Sequence, residues 1–92
     1  MDIEQLTKIS RALADPTRMR IYEAIAVRRG AFCGDLAEEV GIAPGTVSHH
    51  LRVLTEAQLV VSRRHGQSIF QRTIPETMKR YTKALARLSR RR

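Results

Sequence analysis

The stretch Ala43-Pro-Gly-Thr-Val-Ser-His-His-Leu-Arg-Val-Leu54 constrains this chain more than any other. Wound as a helix from Pro44, it sets Val47, Leu51 and Leu54 on one stripe and turns Gly45, Ser48, His49 and Arg52 to the opposite side. One face can dock on a core while the other stays free to meet a partner. Gly45 has no side chain, so a surface can approach the first turn closely. Such a helix suits a groove of DNA. His50 borders the apolar stripe and is expected to be packed and hydrogen-bonded, not a reader. His49 and His50 are adjacent and do not share a face, so they form a poor chelating pair.

The distribution of charge points the same way. The net charge is +8, but residues 1–41 hold six Lys/Arg against seven Asp/Glu, whereas residues 42–92 hold eleven against two. The basic half begins just ahead of the candidate reading helix. This asymmetry calls for a polyanion, and nucleic acid fits better than a membrane surface because no strongly hydrophobic amphipathic segment accompanies the charge. The plainer alternative is a solvated basic surface that keeps the protein soluble. With 92 residues the chain is read as one domain, 1–92, small enough that a second copy would help to stabilise it. The longest aliphatic run is Leu59-Val60-Val61 and the first twenty residues are charged throughout, so neither a signal peptide nor a membrane span is expected and the protein is assigned to the cytoplasm. Cys33 is the single cysteine, which leaves no intrachain disulfide and no thiolate cluster for a metal.

Taken in order, residues 2–14 read as a first helix with Ile3, Leu6, Ile9 and Leu13 on one side. Asp15 caps a second helix, about 16–27, with Pro16 in its first turn; it is expected to bury Met19, Ile21, Tyr22 and Ile25 and to end at Arg28-Arg29-Gly30, with Gly30 as a left-handed cap. A third helix runs from Gly34 or Asp35 to Val40. Ala37, Gly41 and Val47 then stand at the spacing of a helix-turn-helix, about 35–58, with Ile42 plugging the crossing. The reading helix is expected to end near Gln58. A hairpin follows, about 59–74: strand 59–63, a turn over Arg64-His65-Gly66-Gln67, and strand 68–73, with Val60, Ile69 and Phe70 packing on the helices. The last helix, about 75–90, carries Met78, Tyr81, Leu85 and Leu88 on one stripe. That stripe and the first helix's stripe are assigned to a dimer interface, and Arg90-Arg91-Arg92 is expected to be frayed and solvated. The fold class is mainly α with a small β element, a winged helix-turn-helix of order α-α-α-α-β-β-α.

The blocks Ala12-Leu-Ala-Asp-Pro-Thr-Arg-Met-Arg-Ile21, Asp35-Leu-Ala37, Thr46-Val-Ser-His-His-Leu-Arg-Val-Leu54 and Leu59-Val60 through Gly66 resemble, in this order and over nearly the whole chain, the bacterial ArsR/SmtB family of dimeric repressors. The resemblance implies a homodimer on a palindromic operator, with half-sites about one helical turn, roughly 34–36 Å, apart. It also implies an effector, and many members sense metals through cysteines at the start of the third helix or an Asp/His/Glu set on the last. This chain departs from both patterns. Cys33 stands alone, and residues 75–92 offer Glu76 as their only carboxylate and no His, Asp or Cys. No metal or cofactor is therefore assigned, and the sequence does not name the effector.

Ser48 and His49 are the first choices for base-edge contacts, because a hydroxyl can donate or accept and an imidazole can donate to a purine. Arg52 can reach a guanine or a phosphate. Pro44, Gly45 and Thr46 open the helix, where free N–H groups suit a phosphate, although Pro44 donates none. Ala43 lacks the side-chain acceptor that a cap supplies. Arg63, Arg64, His65 and Gln67 would line the wing and meet a minor groove or phosphates. Asp15 and Arg18 look architectural. Cys33, near the positive end of the third helix, is a candidate redox residue; the alternative is a small apolar thiol packed near Phe32. Rival readings are an interaction module whose basic last helix docks an acidic partner, and an architectural protein coating DNA. No carboxylate pair, phosphate loop or nucleophile with an orienting base can be assembled, so an enzyme is not expected.

Overall fold

A computed structural model describes residues 1–90. Helix α1 (Ile3–Leu13) starts at Asp2, whose carboxylate accepts from the Gln5 N–H at 2.8 Å. Asp15 repeats the device for α2 (Pro16–Arg28), accepting from the Arg18 N–H at 2.9 Å with Pro16 in the first turn. The left-handed residue that ends α2 is Arg29 (φ 59°), not Gly30 as expected. Gly30 follows at φ 125° and has a second reason to be glycine: a Cβ there would lie 2.2 Å from Phe70 Cζ.

A two-residue strand, β1 (Ala31–Phe32), leads directly into α3 (Cys33–Val40). The sequence pattern signals neither β1 nor a start of α3 at Cys33, placing that start at Gly34 or Asp35. The turn after α3 does follow the sequence pattern: Gly41 takes φ 76° and the Ala37 carbonyl accepts from both Gly41 and Ile42. Helix α4 (Pro44–Glu56) closes two residues before its expected end, because Gln58 turns to φ 61°. Strands β2 (Val60–His65) and β3 (Ser68–Thr73) form the wing, and α5 (Pro75–Ser89) closes the described chain with Arg90 as its cap. The expected fraying of Arg91 and Arg92 lies outside the described residues. The sheet order is β1-β3-β2, antiparallel throughout. The order is thus α-α-β-α-α-β-β-α, the expected one with a strand inserted.

The core lies where α2, α3 and α4 meet the base of the wing. Ile21, Ile25, Leu36, Val47, Leu54, Leu59 and Val60 are all almost wholly inaccessible, and each such side chain contributes about 1.5–3 kcal/mol of transfer free energy. The Ile74 N–H donates to the Leu59 carbonyl at 2.9 Å and ties the two ends of the hairpin together. Met19 and Ile69, expected inside, are 44% and 41% exposed. Ile69 pairs with Arg64 toward the tip of the wing and fronts the open hollow beside α4 instead of entering the core.

The assigned dimer stripe divides in two. Leu6 and Ile9 are buried in the protomer's own core, and Leu13, Met78 and Tyr81 pack against it, with the Tyr81 and Ser10 hydroxyls 2.7 Å apart. Only Ile3, Leu85 and Leu88 stand open to solvent. An amphipathic stripe records that a helix has a wall to meet but not whose wall it is.

Candidate nucleic-acid interface

Helix α4 separates its two faces as the sequence pattern requires. Val47, Leu51 and Leu54 are buried, whereas Gly45, Thr46, Ser48, His49 and Arg52 are exposed. Thirteen residues give a rod about 20 Å long, and its width suits the roughly 12 Å major groove of B-DNA. The first turn offers less than expected. Thr46 and Val47 both donate to the Ala43 carbonyl, so the Thr46 N–H is engaged and, among the described residues, Gly45 supplies the open backbone donor. Ala43 makes no side-chain cap.

The hairpin turns over Gly66-Gln67 alone, because His65 already pairs with Ser68. Gly66 at φ 62° in the first central position is the pattern of a type II′ turn. Alternation along β2 then divides the wing residues. Arg64 shares a face with Ser62, Gln71 and Ile69, and these last three line a hollow of about 290 Å³ together with Ser48, Arg52 and Thr55 of α4. Arg63 and His65 point to the other face. There His65 packs edge-on against Phe32 and Phe70, with ring centroids 6.2 and 5.6 Å away, while Phe32 and Phe70 are 5.1 Å apart. Of the four wing residues, Arg64 is therefore the one the fold turns toward α4, and Gln67 sits in the turn itself. Beneath them the buried Gln71 accepts a hydrogen bond from the Ser62 hydroxyl, which satisfies a polar group that would otherwise weaken the sheet.

Cys33 is half-buried, and its thiol lies 3.8 Å from both the Pro44 carbonyl and the Ser48 hydroxyl. It packs at the start of α4, while Phe32 turns away to the aromatic group. His50 is half-buried with Nδ1 3.2 Å from Arg18 Nη1. Burial holds its imidazole below the ordinary histidine range, the Arg18 and His49 charges act in the same direction, and Asp15 opposes them. The Arg18 N–H holds the Asp15 carboxyl low, helped by the charges of Arg18 and His50 against the effect of burial. The Arg18–His50 contact spans 32 positions in sequence, and no local pattern could have signalled it. No cluster of three metal-ligating side chains occurs among the described residues, and no described helix is long and apolar enough to cross a membrane.

A helix-turn-helix domain family matches residues 13–63, the span from the end of α1 into the wing. The chain is 33% identical over 66 residues to the transcriptional repressor SdpR of Bacillus subtilis, covering 71% of each protein. It is 37% identical over 67 residues to a transcriptional repressor SmtB homolog of Synechocystis, covering 73% of this chain and 50% of that one. Over 97% of its length it superposes on the crystal structure of an ArsR family transcriptional regulator, with a TM-score of 0.84, 25% identity and 91% of that chain covered. The chain belongs to the ArsR/SmtB family of transcriptional regulators. It spans about half the length of the Synechocystis relative. Within this ArsR/SmtB chain the helix-turn-helix match ends at Arg63, inside β2.

Proposed function

We propose that residues 1–92 form one DNA-binding unit of a transcriptional repressor, working in the cytoplasm as a homodimer on a palindromic operator. Helix α4 enters the major groove, and the wing lies beside it. The separation within α4 carries this reading: its apolar edge is sealed in the core while Ser48, His49 and Arg52 face outward together. A helix held so firmly by one edge presents the other in a fixed orientation, which base-edge contacts require. The excess of cations after residue 42 supplies the phosphate attraction. Ile3, Leu85 and Leu88 are the open apolar positions that a second copy would cover.

The test uses a duplex that the protein itself selects from a random pool, compared with a scrambled duplex. His49→Ala and Arg52→Ala are each expected to lower the selected-to-scrambled affinity ratio, by about tenfold for a lost base contact. An unchanged ratio in both variants would remove α4 as the reader and favour the architectural alternative.

A further inference from the structure

Arg18 stands where three helices meet. Its Nε donates to the Ala12 carbonyl at 2.7 Å and its Nη2 to the Arg11 carbonyl at 3.3 Å, so two of its donors engage the C-terminal end of α1. Its Nη1 lies 3.2 Å from His50 Nδ1 on α4. Its backbone N–H engages the Asp15 carboxylate that starts α2. A guanidinium is a rigid fork of donors with no acceptor. Nδ1 must therefore accept, which fixes His50 as the neutral tautomer carrying its proton on Nε2.

We infer that Arg18 and His50 are a positioning pair that sets the orientation of α4 against α1, and thereby links the helix bearing Ile3 to the exposed face of the reading helix. This rests on the proposed role of α4. The apolar edge anchors α4 on the core, but the helix begins without a side-chain cap and Thr46 and Val47 share the Ala43 carbonyl, so the Arg18–His50 contact adds a polar restraint one turn further on. His50 adjoins His49, so a turn of α4 that breaks the contact also re-aims Ser48, His49 and Arg52.

The arrangement makes the link sensitive to acid. The charged and titratable groups facing His50 are Asp15 and Arg18 at the start of α2 and His49 on α4 itself. Protonation puts a second donor opposite the guanidinium and turns an attraction into a repulsion. Because the folded protein holds the imidazole below the ordinary value of 6.5, the link is intact above that pH and is lost as the pH falls through the folded value.

Two measurements test the pair. Long-range ¹⁵N–¹H spectra of the whole protein at pH about 7.5 are expected to show His50 as the Nε2–H tautomer, titrating below 6.5; an Nδ1–H tautomer would overturn the inference without any reference to DNA. In the binding assay, Arg18→Lys keeps the charge but loses the fork. It is expected to lower the selected-to-scrambled ratio about tenfold while leaving affinity for the scrambled duplex within about twofold. Equal losses on both duplexes would make Arg18 a phosphate contact and refute the pair. His50→Leu, which deletes the acceptor, should match Arg18→Lys. His50→Asn, whose amide oxygen can occupy the place of Nδ1, should keep the ratio within about threefold and lack the fall expected of the parent protein as the pH is lowered from 6.5 through the folded value. If His49→Ala lowers the ratio and neither Arg18→Lys nor His50→Leu does, the positioning pair fails while the reading helix stands.

Discussion

Replacing Gly30 with alanine sets two separable effects against each other at one buried position. The first is conformational: φ 125° lies where L-residues are strained by about 1–3 kcal/mol. The second is steric. The new methyl would lie 2.2 Å from Phe70 Cζ and 2.4 Å from Cε2, against the roughly 3.5–4.0 Å of ordinary carbon contact. The ring must then move by more than about 1 Å, but it is held by Phe32 and His65 on one side of the sheet, and overpacking of this kind costs about 1–3 kcal/mol. Lower chain entropy in the unfolded state returns about 0.4–1 kcal/mol. The net expectation is a loss of about 1–5 kcal/mol, read as a shift of the urea midpoint at fixed protein concentration with an unchanged slope. A Phe70→Leu background removes the ring, so there the same change should cost only its conformational part, leaving a coupling of at least about 1 kcal/mol between the two positions. A loss below about 0.5 kcal/mol, or an equal loss in both backgrounds, would refute the close approach of Gly30 and Phe70.

Other consequences are equally open to measurement. Leu85→Asp with Leu88→Asp should drive the protein to monomer in sedimentation velocity while far-UV dichroism stays helical, since both side chains are exposed in the protomer; a persistent dimer would exclude this face. Arg64→Ala should weaken binding to every duplex and reduce the salt slope by about one, whereas Arg63→Ala, on the opposite face of the hairpin, should change the slope less. Reversed sensitivities would place the other face of the wing on the DNA. Asp15 is held below its ordinary value of 3.8, so its ionised form stabilises the fold above that pH and the contribution disappears as the pH falls through the folded value. Asp15→Asn keeps a capping acceptor but does not titrate. The stability difference between parent and variant should therefore shrink in acid, and a constant difference would contradict the assignment.

What could be read from sequence follows how local each determinant is. The faces of α4, the Asp15 cap and the Gly41 turn depend on residues within one or two turns of each other and stand where the pattern put them; Gly66 takes its positive φ as expected, but the hairpin is tighter than the pattern implied, because Arg64 and His65 belong to β2 and not to the turn. Strand β1 has no local signature, because two residues carry no period and its partners Phe70 and Gln71 lie about forty positions away. The burial of Leu6 and Ile9 within one protomer, and the exposure of Met19, depend on how α1 and α2 lean on their neighbours. The same holds for the site. The polar edge of α4 was legible, but the division of Arg63 and Arg64 between two faces required the register of the hairpin, and the Arg18–His50 contact required the tertiary fold.

Strand β1 binds the wing to the rest of the molecule, and under the proposed docking that attachment bears on the shape of DNA the protein would accept. Phe32 ends β1 and is also the cap residue of α3, so the sheet and the helix-turn-helix share one continuous piece of backbone at their joint. The wing therefore behaves less like an arm on a hinge than like one jaw of a caliper whose gap is already set. A caliper accepts objects of one width: under the proposed docking, each copy should favour a fixed distance between the bases met by α4 and the flanking backbone met by the wing, and the operator, not the protein, would have to bend to meet it.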